Sequence, residues 1–238
     1  MKEIYKGIVV KSVDYGSNDR IITILTSDDS FVVFKAKGAS KLSSPFSKYT
    51  IPYSICEFEL ESKSENAHKV LVGANNIYYP KFINQNIKAI AISSYISESL
   101  IYLDYKIGLY EYISEIIKLL DKDEKEEMIF LSYLYYFIKA NGIGLQLDCC
   151  EVCGKKKNIV DVDYTIGGLL CSSCSINRKS NEYIELLYKV GHYKGVYMND
   201  YDIGTVFNLT KDLIVFLNEN SWIKIKSEKF VLNSLFNI

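Results

Sequence analysis

The segment LQLDCCEVCGKKKNIVDVDYTIGGLLCSSC, Leu145–Cys174, contains the clearest chemical pattern in the chain. Cys150 and Cys153 form one C-x2-C pair, and Cys171 and Cys174 form a second pair after 17 intervening residues. Two residues between thiols let a tight turn direct both sulfurs at one ion, and two such turns supply a tetrahedral shell. Four thiolates leave no position for water, so the segment predicts one structural zinc ion.

The other cysteines leave alternatives open. Cys149 could replace Cys150 as a ligand, although its longer spacing to Cys153 fits the turn less well. Free, partly buried thiols or a redox pair would also account for the paired spacing. Cys56 lies in an alternating stretch, Ile55–Phe58, where a small hydrophobic residue would serve equally well, so we expect it in a strand or a core.

Towards the N-terminus, residues 1 to about 80 consist of β-rich runs. The runs are Tyr5–Val13, Arg20–Thr26, Phe31–Lys37, Tyr53–Leu60 and Lys69–Val72. Five strands is the number in an OB-fold barrel, which we therefore predict here. The polar residues 28–30 predict a hairpin turn, and Gly38–Pro52 predicts a long loop.

Towards the C-terminus, apolar residues recur at helical spacing from about Asn84. The predicted helices cover Ile87–Tyr95, Leu109–Leu120, Glu124–Ala140, Asn181–Val190 and Asp202–Asn218, followed by an end segment, Trp222–Ile238. Asn141 and Gly142 should end the third helix. Strands followed by helices predict an α+β multidomain protein: a barrel domain over 1–80, then a helical domain over 81–238 with the zinc module inserted at about 145–178.

Composition places the chain among globular proteins. Of its 238 residues 48% are hydrophobic and 24% are charged, which supplies material for packed cores. The start MKEIYKGIVVKS shows no export signal, and the longest apolar run, Ile129–Ile138, is about half of a membrane span. Six cysteines without an export signal favour a reducing, cytoplasmic location. The net charge of −1 gives no argument for a charged partner.

No catalytic pattern accompanies the cysteines. The two histidines, His68 and His192, lie in no helical His-x3-His or Cys-His arrangement. Phosphate-binding glycine loops and the His-x-Glu pair of zinc deaminases are also missing from the sequence. We therefore expect a protein that is not an enzyme and has no small-molecule substrate.

Several segments together resemble the RecO family of recombination proteins. Leu145–Cys174 resembles its zinc module, which begins Leu-x-x-Cys-x-x-Cys-Gly and ends Gly-Gly-x-x-Cys-x-x-Cys. Gly7–Ser30 and Lys35–Tyr49 resemble its opening strands and Ala-Lys-Gly-Ala segment, and Ile223–Leu235 resembles its closing segment. The likeness covers both ends and the middle of the chain in the family's order.

The resemblance implies an OB-fold, a helical domain with a zinc module, and a mediator role in recombinational DNA repair. Such proteins bind single- and double-stranded DNA, anneal complementary strands, contact single-strand-binding protein and, with RecR, help to load RecA. It also implies a cytoplasmic protein that associates with the nucleoid during repair, without a membrane partner.

A basic window predicts where DNA would bind. Lys35–Tyr49 carries a charge of +4, whereas the remainder of the first 80 residues carries −3. OB-folds follow phosphates with cations and stack bases on aromatic rings. The predicted DNA-binding residues are Arg20, Lys35, Lys37, Lys41, Phe46, Lys48 and Tyr49. The family is richer in arginine here, so lysines at these positions predict modest, salt-sensitive affinity.

Two further basic regions have open interpretations. The family's helical domain receives the acidic, hydrophobic tail of single-strand-binding protein, and the residues that fit that chemistry are Trp222, Lys224, Lys226 and Lys229. Phe230 lies near them, and Trp222 and Phe230 could equally be core residues. Lys155–Lys157, with Arg178 and Lys179, could be a second DNA contact, a protein-binding face or solvated loop charge.

Two other functions compete with DNA binding. A zinc-ribbon scaffold that binds only proteins would suit the mild acidity of the chain, whereas the basic window opposes it. A zinc hydrolase or deaminase would require an open coordination position, which four thiolates do not leave.

Overall fold

The N-terminal part of the chain forms a closed β-barrel in the computed structural model, which describes residues 1–64, 67–103, 106–122 and 124–237. The barrel strands are β1 (Lys2–Tyr15), β2 (Asp19–Thr26), β3 (Phe31–Ala36), β4 (Ile55–Glu61) and β5 (Lys69–Tyr78). They are hydrogen-bonded in the order β1-β2-β3-β5-β4, and β1 pairs antiparallel with β4 to close the barrel. The predicted five-stranded barrel is confirmed, although its last strand extends six residues beyond the predicted Lys69–Val72.

Alternating strand residues fill the barrel interior. Phe34 and Phe58 meet there with ring centroids 5.3 Å apart. Cys56 is fully buried beside them, and burial raises the pKa of its thiol to about 12, so it remains a neutral core residue. Gly7 permits close strand packing, because a Cβ there would lie 2.9 Å from Cδ1 of Ile24.

Six α-helices occur in the described part of the chain. They are α1 (Ile87–Ser99), α2 (Leu109–Leu120), α3 (Glu126–Ala140), α4 (Asn181–His192), α5 (Ile203–Asn220) and α6 (Glu228–Phe236). Short 3-10 turns cover Ser47–Thr50 and Leu100–Tyr102. The end segment contains α6, for which the sequence analysis assigned no helix, and Ile238 lies outside the described residues. Gly142 takes a left-handed φ of 75° directly after Asn141, which confirms the predicted end of α3.

The chain divides into two compact units, Met1–Asn86 with Lys106–Lys122, and Ile87–Tyr105 with Asp123–Ile238. Helix α2 therefore belongs to the barrel unit. Asp29, in the turn between β2 and β3, accepts hydrogen bonds from the backbone N–H groups of Gly108 and Tyr110, both at 2.7 Å, and so caps that helix. The boundary predicted at Pro80 falls inside the first unit, and separate folding at that point stays a prediction.

Aromatic side chains form much of the core of the second unit. Tyr95 meets Phe130 edge-to-face at 5.1 Å, and Tyr133 stacks on Phe137 at 6.2 Å. The buried hydroxyl of Tyr133 shares a 2.6 Å hydrogen bond with that of Ser99. No helix among the described residues combines the length and apolar character needed to cross a bilayer.

Between α3 and α4 lies a small β-hairpin that the sequence analysis did not assign. Its strands are β6 (Ile159–Asp163) and β7 (Gly168–Cys171), paired antiparallel. Ser180 begins α4 by accepting a hydrogen bond from the N–H of Tyr183 at 3.2 Å, and Asp202 begins α5 in the same way with Thr205 at 2.9 Å. Residues 172–180, which include Cys174, connect the hairpin to α4.

Candidate metal centre and nucleic-acid interface

Four cysteines meet beside the hairpin. The Sγ atoms of Cys150, Cys153, Cys171 and Cys174 all lie within 4.8 Å of one another, and those of Cys153 and Cys171 are 3.6 Å apart. A tetrahedral thiolate shell with metal–sulfur distances near 2.3 Å places its sulfurs roughly 3.8 Å apart. The cluster therefore has the size of a four-thiolate metal site, and all four cysteines are free of disulfide bonds.

Backbone hydrogen bonds shape both cysteine turns. The carbonyl of Cys150 accepts from the N–H of Gly154 at 2.8 Å, and that of Cys171 accepts from Cys174 at 2.9 Å. Gly154 has a φ of 71°, a left-handed conformation that suits glycine. These tight turns direct two sulfurs each towards one point.

The ionisation of the cluster also fits a cation. Burial raises the pKa of Cys150, but N–H donors from Cys171 and Cys153 outweigh it and lower that pKa to about 6. The pKa of Cys171 is lowered as well, chiefly by the N–H of Ser173. That of Cys174 is raised to about 12 by its thiol neighbours, first Cys153. Metal binding displaces such a proton because thiols bind as thiolates, so these residues could hold a metal ion.

Cys149 does not join this group. Within the described residues the only cluster of metal-binding side chains consists of the four cysteines already named. His192 instead places its Nε2 atom 3.0 Å from Oδ1 of Asp148 and stacks on Tyr188 at 4.1 Å. Its contacts are those of a packing residue and not of a metal ligand.

A hydrogen-bonded tyrosine pair fastens the cysteine module, residues 145–179, to the helices of its unit. The hydroxyls of Tyr164, in the β6–β7 turn, and Tyr183, on α4, lie 2.5 Å apart. Tyr183 donates to Asp212 on α5 at 2.6 Å, and Lys179 forms an ion pair with the same carboxylate at 2.9 Å. Burial raises the pKa of both tyrosines, so both hydroxyls remain protonated donors.

In the barrel unit, the loop after β3 is fastened to the corner between β1 and β2. The N–H of Ser40 donates to the carbonyl of Asn18 at 2.9 Å, and its hydroxyl donates to Asp14 at 2.7 Å. Further along the loop, the guanidinium of Arg20 donates to the hydroxyl of Thr50 at 3.2 Å. The predicted basic window is thus an ordered surface against this corner.

Two predicted DNA-binding cations are neutralised inside the unit. Arg20 donates to Oδ1 of Asp14 at 3.1 Å, and Lys35 lies 2.8 Å from Oδ2 of Asp19. The hydrogen bond from Lys35 lowers the pKa of Asp19, and the same bond raises the pKa of Lys35. Both cations are therefore held in internal ion pairs.

The other three predicted cations are available to solvent. Lys37, Lys41 and Lys48 are exposed, and none forms an ion pair with another described residue. The ammonium of Lys48 lies 4.8 Å from the ring centroid of Tyr49. The unneutralised positive charge of the window resides in these three side chains, which we call the barrel patch.

The two aromatic residues of the basic window are not exposed, as residues that stack on DNA bases would have to be. Phe46 and Tyr49 are half-buried and pack against the barrel core. Tyr15, at the end of β1, is 55% exposed, and the ammonium of Lys35 lies 4.9 Å from its ring centroid. Tyr15 lies outside the basic window in sequence and is not among the predicted residues.

The predicted partner site lies in the second unit on an alternating segment. Trp222, Lys224 and Lys226 are exposed, whereas Ile223 and Ile225 between them are buried. The alternation places the three exposed side chains on the solvent side. Trp222 is 82% exposed and is therefore not a core residue, although its ring meets that of Tyr102 edge-to-face at 5.6 Å.

The remaining residue of that site lies in the first turn of α6. Lys229 is exposed on the first turn of the helix, one residue before Phe230, which is 39% exposed. The segment is held by Glu98, whose carboxylate accepts from the N–H groups of Lys226 at 2.7 Å and Ser227 at 3.0 Å. The exposed cations and aromatic rings thus stand on a fixed backbone.

Comparison with known proteins identifies relatives along most of the chain. A family model described as recombination protein O N terminal matches residues 1–75, and one described as recombination protein O C terminal matches residues 83–186. The first covers nearly all of the barrel strands and the second covers the four cysteines.

Individual relatives extend over similar lengths. A DNA repair protein RecO from Mesoplasma florum is 27% identical over 212 residues, which cover 87% of this chain and 76% of the relative. Another, from Caldanaerobacter subterraneus subsp. tengcongensis, is 28% identical over 211 residues, which cover 79% of this chain and 81% of the relative. A third, from a Thermoanaerobacter species, is 24% identical over 249 residues, covering 96% of each chain.

Proposed function

Because the chain belongs to the RecO family of DNA repair proteins, we propose that it is a recombination mediator that binds single- and double-stranded DNA and anneals complementary strands. Together with RecR it helps to load RecA onto DNA coated by single-strand-binding protein. It performs this role in the cytoplasm, on the nucleoid during repair, without making or breaking a covalent bond.

The observation that carries the DNA half of this proposal is the barrel patch. Lys37, Lys41 and Lys48 are exposed cations without an ion pair to any described residue, in a segment held firmly against the β1–β2 corner. Cations of this kind bind phosphates, and the exposed ring of Tyr15 offers a face on which a base could stack. Arg20 and Lys35 contribute by orienting the loop and Tyr15, because their charges are already paired.

The test of the barrel patch is a charge-neutralised variant. K37Q/K41Q/K48Q should weaken binding to a labelled single-stranded oligonucleotide and make the salt dependence of log K shallower, by roughly 0.7 per lost phosphate contact. The matched control K63Q/K81Q/K122Q removes the same charge from exposed positions elsewhere in the barrel unit. Equal affinity of the patch variant and the control would move the DNA site away from these lysines. If a base stacks on the ring of Tyr15, Y15A should also weaken binding of the oligonucleotide, whereas Y15F, which keeps the ring, should bind like the wild type.

We also propose that the metal is zinc and that Cys150, Cys153, Cys171 and Cys174 hold it. Their sulfurs lie within one coordination shell of each other and all of them are used, so no position is left for a substrate. Zinc bound there supplies folding free energy to the module. Metal analysis of the purified chain, with the thiolate absorption of a cobalt-substituted sample, tests this. C150S should lose the metal and C149S should keep it; fewer than four thiolates would favour an open, hydrolytic site.

The tail of single-strand-binding protein is proposed to bind at Trp222 with Lys224, Lys226 and Lys229. An acidic, hydrophobic peptide fits exposed lysines beside an exposed aromatic ring. Trp222 is the chain's single tryptophan, so its fluorescence reports on this surface directly. A synthetic tail peptide should shift its emission in the wild type, and K224E/K226E should abolish the shift. Binding that leaves the emission unchanged would place the tail elsewhere.

A protein-binding scaffold without DNA binding is the competing function. It predicts that the wild-type chain fails to bind the oligonucleotide even at low salt, while it still binds the tail peptide. The two titrations on one preparation therefore separate the two functions.

A further inference from the structure

The cysteine module has an exposed group of cations that neither the metal nor the tail site uses. Lys155, Lys156, Lys157 and Arg178 are exposed, and none forms an ion pair within the described part of the chain. Lys179 differs, because its ammonium is bound to Asp212. We call the four unpaired cations the module patch.

Backbone hydrogen bonds bring the two parts of the module patch together. The N–H of Ser172 donates to the carbonyl of Asn158 at 2.9 Å, and the N–H of Lys179 donates to the carbonyl of Val160 at 3.0 Å. The segment that carries Arg178 therefore runs beside the residues that follow Lys157. Three consecutive lysines and an arginine that follows them after 20 intervening residues are thus carried on neighbouring segments.

We propose that the module patch is a second site for the phosphate backbone of DNA, separate from the barrel patch. This inference rests on the proposed DNA-binding function and adds a contact on the other unit of the chain. Asp148 and Glu151 are the exposed acidic residues of the same module, so its exposed charges sum to +2. A focused positive surface of this kind attracts a polyanion.

The neighbouring groove favours a phosphate backbone over an acidic peptide. An open groove of about 260 Å³ adjoins Lys156, with Ile159 and Ile184 among its apolar lining residues. A bound peptide would use such a groove for its apolar side chains. Asp148 and Glu185 line it too, and their carboxylates would repel any anion inside the groove, an acidic peptide included. A phosphate backbone can contact the exposed cations without entering the groove, whereas a peptide that uses the groove would lie against both carboxylates.

The thiol cluster makes this second site dependent on the metal. The N–H of Cys150 donates to the carbonyl of Lys155 at 2.8 Å, so the first cysteine turn holds the start of the lysine run. Arg178 follows Cys174 by four residues and depends on the second turn. Loss of the metal would release both turns and disperse the patch, whereas the barrel patch contains no residue of the module.

The test is the salt dependence of DNA binding by the metal-loaded full chain. K155Q/K156Q/K157Q/R178Q should lower affinity for a labelled single-stranded oligonucleotide about tenfold or more near 0.1 M salt, with a shallower salt slope. The control K139Q/K189Q/K194Q/K211Q removes four exposed charges from the same unit and should bind like the wild type. Metal content measured on each variant shows that the module remains folded. Removal of the metal from the wild type should reproduce the loss.

The outcomes separate this inference from the proposed function. Wild-type binding that is weakened by the barrel variant K37Q/K41Q/K48Q, but unchanged in the metal-loaded module variant, overturns the second site alone. A wild type that does not bind DNA at low salt overturns both. A module variant that weakens binding while the barrel variant has no effect supports the second site and removes the first.

Discussion

The barrel and the cysteine module become ordered by different means. Among the described residues, the barrel encloses a core that includes Val9, Ile22, Ile24, Phe34, Phe58, Leu60 and Leu71. The module's own cluster has three buried members, and two of them are the metal-binding candidates Cys150 and Cys171. Burial of apolar surface can hold the first structure together, whereas the second lacks enough of it. We therefore expect the barrel to be held by its own core and the module to depend on the proposed metal ion.

The barrel and the module also differ in how their strands are paired. In the barrel each described strand has neighbours on both sides, because β1 pairs with β4 to close the sheet. The module contains the two-stranded sheet β6-β7, and an isolated two-stranded hairpin is at best marginally stable in water. We expect the proposed metal and the surrounding helices to supply the missing stabilisation.

The largest expected effect comes from removing the metal. Chelation, or the variant C150S/C153S, should unfold residues 145–179 because structural zinc contributes apparent binding free energies of about 10–16 kcal/mol. Amide hydrogen exchange should show lost protection there and unchanged protection in β1 and β2. The control is C149S, whose thiol lies outside the cluster. Equal loss of protection in the barrel, or none in the module, would contradict the comparison.

Truncation of a side chain in the barrel core should have the opposite effect, destabilising the barrel and leaving the module unchanged. Phe58 is fully buried against Phe34, so F58A should cost about 3–5 kcal/mol of barrel stability through lost contacts and a residual cavity. Urea unfolding measures the loss of stability, and amide hydrogen exchange in β4 shows that it occurs in the barrel. The metal content should not change. F82A is the control, because Phe82 is 53% exposed and belongs to the same unit. A matching loss in F82A would mean that burial is not the cause.

Much of the difference between the barrel and the module can be predicted from the sequence, because it depends on patterns of nearby residues. The spacing of the cysteines and the alternation of apolar residues in the strands depend on neighbours a few positions away. The hairpin β6-β7 was missed because its strands have only five and four residues, and its pairing brings together residues that are not adjacent in sequence. Likewise, α2 was recognised as a helix, but its membership of the barrel unit depends on the distant Asp29.

The candidate DNA site was readable only in part. The basic window was evident from composition, but the pairing of Arg20 with Asp14 follows from their cross-strand register in the barrel. The pairing of Lys35 with Asp19 likewise depends on the β2–β3 register. The number of charged residues can be read from the sequence, but which of them form ion pairs depends on the fold. The exposure of Tyr15 is a consequence of the fold in the same way.

A smaller effect tests how the module is fastened to its helices. Y183F removes a buried hydroxyl that donates to Asp212 at 2.6 Å and lies 2.5 Å from that of Tyr164. The loss of these bonds should cost about 1–3 kcal/mol in the unfolding of the second unit and should hasten metal release to a chelator. Y188F alters an exposed tyrosine on the same helix and should change neither quantity. An unchanged release rate in Y183F would show that the module is held by other contacts.

The central claim is that the chain binds DNA through cations that the fold leaves unpaired. The most direct measurement is the binding of a fluorescently labelled single-stranded oligonucleotide to the metal-loaded chain over a series of salt concentrations. We predict binding at low salt, with log K falling linearly as log salt rises. No binding at the lowest salt concentration, with the metal bound and the barrel folded, would contradict the claim.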